Sequence, residues 1–248
     1  MNFPKYKNKH LAEALFSPEE YVNYAKIKKE IFPKKYIISY QETAENYFKR
    51  KFKGKYKIIP FSKRTKILKI GDVGFLRING IGAPQVVTMI EELIAIGAKE
   101  FINVGSAGGL KKRGVFLCNK AVRDEGTSHH YIPTSIYAYP DKELTNRIKK
   151  QLEKSKVEYT LAPSWTIDAP YRETKKEIAH YKKKGIATVE MEASAVFAIT
   201  KLRQIKSAAL FVVSDILGEQ WEPEFYTVNY KKTLNKMIDL SFLVLNKK

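Results

Sequence analysis

The chain alternates between short apolar runs and longer amphipathic ones. Five runs rich in β-branched and aromatic residues, at 36–40, 74–78, 101–104, 115–122 and 208–213, have the length and composition of buried strands. Between them the hydrophobic period lengthens to that of a helix. Residues 84–96 carry Pro84 near the start, Val86, Val87, Met89, Ile90, Leu93 and Ile94 as an apolar side, and Gly97 at the end, which predicts a helix bounded at both termini. Residues 141–154, 173–184, 191–203 and 226–245 read as further helices, the last closing the chain. This rhythm predicts an α/β fold. Some neighbouring strands lack room for a crossover helix between them, so the sheet is expected to be mixed rather than wholly parallel. No internal repeat, low-complexity tract or long linker interrupts the pattern, and 1–248 reads as one domain.

Composition narrows the class. With 248 residues, 44% of them hydrophobic, the chain can bury a full core. No apolar run approaches the length of a membrane span, and the opening MNFPKYKNKH has charges but no following apolar stretch or cleavage site, so a cytoplasmic protein is expected. The single cysteine, Cys118, excludes an intrachain disulfide framework and a multi-cysteine zinc site, and is expected in the core. The net charge is +19, with 18 basic against 6 acidic residues in the first 70. A basic face can gather phosphate, nucleotides or nucleic acid, which makes a nucleic-acid-binding protein the alternative from another class. The lysines are nevertheless scattered among aromatics, as in Lys51-Phe52-Lys53-Gly54-Lys55-Tyr56-Lys57, in the manner of a solvated strand face. No zinc-finger, basic-zipper or RNA-recognition signature accompanies them, so nucleic acid is not the expected partner.

In α/β folds ligands collect beyond the carboxyl ends of the strands, which directs attention to the residues just after each predicted strand. Gly105-Ser106-Ala107-Gly108-Gly109 follows the third run; as a turn it would let a ligand reach backbone N–H groups and the Ser106 hydroxyl, or serve only as a tight turn. Its spacing fails the dinucleotide fingerprint, and no Gly-Lys-Ser/Thr follows, so neither NAD nor ATP is expected. Glu190 and Glu192 flank Met191 where a strand hands over to a helix. A carboxylate there suits the paired hydroxyls of a ribose and the thioether suits the sugar's apolar face, although acids also favour the first turn of a helix through its dipole. Asp215 follows the apolar run 208–213; a protonated Asp could donate to a departing purine at N7, with Ser214 orienting it, or the residue could simply cap a turn. His129 and His130 adjoin on a segment read as extended, which points them to opposite faces, and no metal-ligand spacing is present, so no metal is expected.

Gly80-Ile81-Gly82-Ala83-Pro84, Phe101-Ile102-Asn103-Val104 with the glycine segment after it, Val189-Glu190-Met191-Glu192-Ala193-Ser194-Ala195 and Val213-Ser214-Asp215 together resemble the purine and uridine nucleoside phosphorylase superfamily in order and spacing. The Val-Glu-Met-Glu-Ala segment is the most specific part. The resemblance implies a three-layer α/β/α domain around a central mixed sheet, no cofactor, and inorganic phosphate as co-substrate with a nucleoside. It implies that Glu192 binds the ribose hydroxyls, Met191 packs on the sugar, Glu190 shapes the base and sugar site, and Asp215 with Ser214 acts at the base. Ser106, Gly105, Asn103 and Gly82 would surround the phosphate or nucleophile. His10-Leu11 resembles an N-terminal histidine that reaches a neighbouring subunit's ribose, which implies a homo-oligomer (dimer, trimer or hexamer) with residues 1–35 as the contacting extension. The stretch 123–131 is similar to uridine phosphorylases, and Tyr171-Arg172-Glu173 lies where those enzymes place base-reading polar groups, whereas Ser214-Asp215 resembles the purine-cleaving branch.

The sequence departs from the phosphorylase pattern at the phosphate. Asn103 stands where Arg is usual, and Ser39-Tyr40-Gln41-Glu42 stands where a Gly-Asp-Pro and Arg loop is usual. Asn lacks the charged bidentate fork that grips phosphate. Arg50, Arg64 and Arg77 are the candidate replacements. The related nucleosidases, which use water, carry a very similar Ile-Asn-x-Gly-Ser-Ala-Gly-Gly-Leu run. Phosphorolysis to free base and ribose 1-phosphate is the first expectation, hydrolysis the alternative, and a nucleoside sensor without turnover a further one.

Overall fold

The computed structural model describes residues 3–62 and 65–247. In chain order its elements are α1 (Pro18–Tyr24), β1 (Lys35–Ser39), α2 (Glu42–Lys51), β2 (Lys57–Pro60), β3 (Lys66–Ile70), β4 (Val73–Arg77), α3 (Ala83–Ala95), β5 (Glu100–Gly109) and β6 (Val115–Asp124). There follow β7 (Tyr137–Ala138), α4 (Lys142–Lys154), β8 (Thr160–Ile167), α5 (Lys175–Lys183), β9 (Thr188–Glu190), α6 (Ala193–Leu202), β10 (Lys206–Leu217), β11 (Trp221–Pro223) and α7 (Val228–Leu245). The helix over 84–96 forms as its signals predict. Gly82, at φ +102°, supplies a backbone turn that L side chains rarely adopt, Pro84 opens the first turn, and Val86, Val87, Ile90 and Leu93 are buried. Other helices are capped by side chains: Asp141 accepts from Leu144 N–H, Thr227 from Tyr230 N–H, and Thr174 and Glu177 form a reciprocal box.

The sheet is mixed, as expected, and partly closed. β5 runs parallel to β1 on one side and to β10 on the other. β10 pairs antiparallel with β6, β6 parallel with β8, β8 parallel with β9, and β9 returns antiparallel to the end of β5. These five strands form a ring, and β1, β4, β3 and β2 extend from it as an arm. One face packs Tyr36, Ile90, Phe101, Val196, Phe197 and Phe211 under α3 and α6; the other packs Ile37, Phe48, Phe75, Ile102, Leu234 and Met237 under α2, α4 and α7. Cys118 is buried, as expected. No helix among the described residues is long and apolar enough to cross a membrane.

Four local expectations are corrected. Residues 105–109 are not a turn: β5 continues through them, and their backbone is committed to β10 as far as Gly109 and to β9 at Gly108 and Gly109. The glycines are there for close packing. A Cβ on Gly108 would lie 2.9 Å from Leu217 Cδ1, and one on Gly109 would lie 2.8 Å from both Ile216 Cδ1 and the carbonyl oxygen of Lys112. Ser214 and Asp215 do not follow a strand but lie within β10, at a register shift between Val213 and Asp215 that re-aims the side chains. The lysine and aromatic run at 51–57 is not a strand face; it joins the end of α2 to β2, with Phe48 and Phe52 packed on Phe242 of α7. His129 and His130 lie in a 3-10 turn rather than an extended segment, and both rings meet Phe3 edge-on.

Gly109→Ala is expected to destabilise the chain by about 1–3 kcal/mol through forced displacement of the Ile216 and Val213 side chains and of the backbone at Lys112. Urea unfolding checks this: a midpoint equal to the parent's would mean that the seam relaxes without cost.

Candidate active site

A cleft of about 1010 Å³ opens where β5, β9 and β10 end, walled by Ser106, Glu190, Met191, Glu192, Ser214 and Asp215 together with residues from the loops beyond. Position beyond the carboxyl ends of parallel strands is where open α/β sheets place ligands.

The sugar-side carboxylates depend on one another. Glu190 ends β9 and is buried; it accepts from Thr166 Oγ1 at 2.6 Å, Ser164 Oγ at 3.3 Å, Ala193 N–H at 2.7 Å and Glu192 N–H at 2.8 Å. Burial raises its pKa and these four donors oppose the rise. Glu192 sits in the N-cap position of α6 but does not cap it. Its carboxyl instead reaches across to Gly82 N–H at 2.6 Å. Burial first, and the Glu190 carboxylate second, push the Glu192 pKa up to about 8. Met191, half-buried between them, faces the cleft.

At another wall, Asp215 is buried with both oxygens engaged: Ser214 Oγ donates to Oδ1 at 2.8 Å and Trp221 Nε1 to Oδ2 at 2.8 Å. Trp221 arrives on β11, paired antiparallel with β10. Glu173, between the 3-10 turn Pro170–Arg172 and the Thr174 cap, lines the same cleft. Burial first, then the Asp215 and Glu177 carboxylates, push its pKa up to about 7.

At the end of β1, Gln41 Nε2 donates to Ser106 Oγ at 2.9 Å, and the buried Tyr230 hydroxyl faces Ser106 from α7. Tyr40 lies beneath, its pKa raised by burial and by Glu192 and Glu190, next to the fully buried Asn103. Among the described residues, the hydroxyls of Tyr40 and Tyr230 and both amide atoms of Asn103 have no hydrogen-bond partner of good geometry. The described lining residues include five acids (Glu173, Glu190, Glu192, Asp215 and Glu224) and no Lys, Arg or His.

The structure therefore gathers Ser106, Glu190, Met191, Glu192, Ser214 and Asp215, and puts Tyr171, almost fully exposed, at the mouth. Gly82 contributes through its bond to Glu192. Asn103 and Gly105 lie under the wall, Gly105 against the Tyr40 ring. Arg172 is exposed and outside the cleft; the turn carrying it brings in Glu173 instead. His10 lines a separate cavity with His130, Tyr131 and Arg203. Arg77 is held by Glu45 at 2.6 Å and Arg50 is exposed on α2, neither reaching the cleft; Arg64 lies outside the described residues. Gln41 lies in the segment read as the altered phosphate loop, whereas Trp221 and Tyr226 are lining residues that motif reasoning passes over. Their signal is an aromatic cluster, Trp221 to Tyr226, in an otherwise polar loop. No group of three His, Cys, Asp or Glu able to hold a metal occurs among the described residues.

Fold and cleft define an α/β protein with a carboxylate-walled pocket at its strand ends, and comparison with known proteins gives the family. The pattern of the phosphorylase superfamily matches residues 39–245. Purine nucleoside phosphorylase of Plasmodium vivax (strain Salvador I) is 30% identical over 170 residues, covering 66% of this chain and 69% of that one. Uridine phosphorylase of Treponema pallidum (strain Nichols) is 32% identical over 150 residues, covering 54% and 58%. Among solved structures, uridine phosphorylase from Vibrio fischeri ES114 superposes with a TM-score of 0.76 at 23% identity, covering 90% and 95% of the two chains. An AMP nucleosidase from Bacteroides thetaiotaomicron VPI-5482 gives 0.76 at 19%, covering 94% and 100%. The chain belongs to the phosphorylase superfamily.

Because the Glu192 pKa is raised on folding, the stability its neutral carboxyl contributes is fully present below the ordinary value of 4.5 and is lost as pH rises through about 8. Glu192→Gln, which stays neutral and keeps an oxygen for Gly82 N–H, should match the parent's stability near pH 4 and exceed it near pH 9 by up to about 5 kcal/mol, seen as a higher Tm. Thermal melts at the two pH values check this; a difference independent of pH would contradict the assignment.

Proposed function

We propose that the chain cleaves the N-glycosidic bond of a purine nucleoside, with water as the favoured nucleophile. Membership of the superfamily supports glycosidic cleavage, and the cleft supplies parts suited to it. Glu192 and Met191 would hold the ribose, the carboxylate accepting from its hydroxyls and the thioether lying on its carbon face. As the bond to the base loosens, the sugar gains positive charge, which a wall of carboxylates stabilises more in the transition state than in the ground state. The acids at Asp215 and Glu173 suit a purine, whose ring nitrogen can take a proton as it leaves.

The observation that carries the choice of nucleophile is the composition of the wall: Gln41, Ser106 and the tyrosine hydroxyls around them are neutral, and the described lining residues hold no cation. Phosphate at pH 7 carries between one and two negative charges and would meet the ionised carboxylates among the lining acids with no lining cation to offset them. Water carries none, and neutral donors and acceptors suffice to orient it. The second reading, phosphorolysis, is favoured by the relatives in Plasmodium vivax and Treponema pallidum, which are phosphorylases by name. It requires cations from outside the described lining of this chain. A bound neighbouring copy would be one source, consistent with the expectation of a homo-oligomer.

Inosine, adenosine, uridine and methylthioadenosine, each assayed with and without phosphate, separate the readings. Phosphate-independent release of purine with free ribose is expected; release that requires phosphate and yields ribose 1-phosphate would replace water by phosphate. Glu192→Ala should lower kcat/KM at least about 100-fold, the scale of a lost hydrogen-bonding group in the transition state. Steady-state kinetics with inosine test this, and an unchanged value would remove Glu192 from the sugar site.

A further inference from the structure

We infer that Gln41 selects the nucleophile: its side-chain amide, held between Ser39 and Ser106, orients a water molecule toward the sugar. This rests on the reading of water as nucleophile proposed above and names the residue that would enforce it. Gln41 stands in the N-cap position of α2, but its side chain makes no capping bond. It spans two strands instead: Ser39 Oγ at the end of β1 donates to Gln41 Oε1 at 3.1 Å, and Gln41 Nε2 donates to Ser106 Oγ of β5 at 2.9 Å. Ser39 is fully buried, so the amide is anchored inside the sheet and reaches the cleft wall beside Ser106. A carboxamide offers two N–H donors and two lone pairs, and a hydroxyl offers one donor and two lone pairs. The two bonds therefore leave a second N–H and a second lone pair on Gln41, and the O–H of Ser106. The Tyr230 hydroxyl faces Ser106 from α7 and adds to the set. Ordered water needs about two to four polar partners, and this corner of the cleft supplies both donors and acceptors.

What surrounds the amide suits a neutral nucleophile. Arg77 stands beside Ser39 in the register of β1 and β4, which brings a cation to the end of β1, but its guanidinium is bonded to Glu45 of α2 at 2.6 Å. Beneath Ser106 lie the Tyr40 ring, 3.5 Å from where a Cβ on Gly105 would stand, and the fully buried neutral amide of Asn103. Glu42 and Glu45 in the first turn of α2 already meet the positive end of that helix dipole. In the step itself the C1′–N bond breaks with its electron pair passing to the base, and the water oxygen bonds to C1′. The base takes one proton from the cleft acids and the water returns one to them, so nucleoside and water become ribose and free base. Gln41 exchanges no proton and is a positioning residue.

The test compares the parent with Gln41→Met, which keeps the length of the side chain and removes its hydrogen bonds, and with Ser39→Ala, which removes one anchor of the amide. Each is assayed on inosine without phosphate in a water–methanol mixture, reading kcat, KM, Tm and the ratio of methyl riboside to ribose. The parent should form ribose with little methyl riboside. Gln41→Met should lower kcat about 100-fold, the scale of a misplaced reacting group, with KM within a few-fold and the methyl riboside fraction raised several-fold. Ser39→Ala should move kcat and the product ratio in the same directions, kcat by about 10-fold, the scale of one net hydrogen bond. The product ratio depends on which nucleophile is captured and not on how much protein is folded, so a merely structural role would leave it at the parent's value. Variants that keep the parent's kcat, or lose it with the parent's product ratio, overturn the role of Gln41 and leave hydrolysis standing. A parent that releases purine only with phosphate, or not at all, takes down the water reading and this inference together.

Discussion

The cleft depends on one buried carboxylate. Glu190 ends a three-residue strand, and a charge placed there is costly unless it is fully hydrogen-bonded. The chain meets that condition by turning Glu192 N–H and Ala193 N–H back onto it, with Thr166 and Ser164 supplying hydroxyls from the neighbouring strand β8. Thr166 also accepts Ser194 N–H, and Ser194 Oγ donates to the buried Glu125. Helix α6 is thus capped from the preceding strand and from β8. The residue in its own N-cap position is released from that duty, and the Glu192 side chain can cross to Gly82 and face the ligand space. Glu190 accordingly acts on the cleft by holding what stands beside it, and also raises the proton affinity of Glu192 directly.

Much of this was legible in the chain. Period and breakers predict α3 to within a residue at each end because Gly82, Pro84 and Gly97 act locally, and α4 and α7 likewise begin at side-chain caps written into the sequence. The Val-Glu-Met-Glu segment reads as a strand-to-helix junction, and it lies between β9 and α6. What was not legible is what depends on pairing at long range. The glycines of 105–109 look like a turn to any local rule; they lie in a strand because β9 and β10 approach that strand from both sides too closely for side chains, a fact about residues some 80 to 110 positions away. Trp221 shows in sequence only as part of an aromatic cluster, since the β10–β11 hairpin alone brings its indole to Asp215. Arg172 attracts notice as a charge near the base-reading stretch, but a single 3-10 turn decides that its neighbour Glu173 enters the cleft instead.

The distribution of charge follows the same division between local and distant effects. The basic excess lies over the outside of the molecule, while the described lining of the cleft carries acids alone. Side chains that gain from solvation remain on the surface, whereas Glu190, Glu192 and Asp215 are kept in the cleft by burial and by donors that the fold supplies, and Glu224 at its edge is paired with Arg113. A net charge of +19 is therefore a poor guide to what the cleft accepts.

The two tryptophans occupy opposite environments. Trp165 is fully buried in β8, its ring 4.4 Å from that of Tyr181 and its N–H on Asp124, whereas Trp221 is largely exposed at the cleft with its N–H on Asp215. The protein's intrinsic fluorescence accordingly has two separable sources: one that reports whether the core around β8 is intact, and one, red-shifted and open to quenchers, that reports what occupies the cleft.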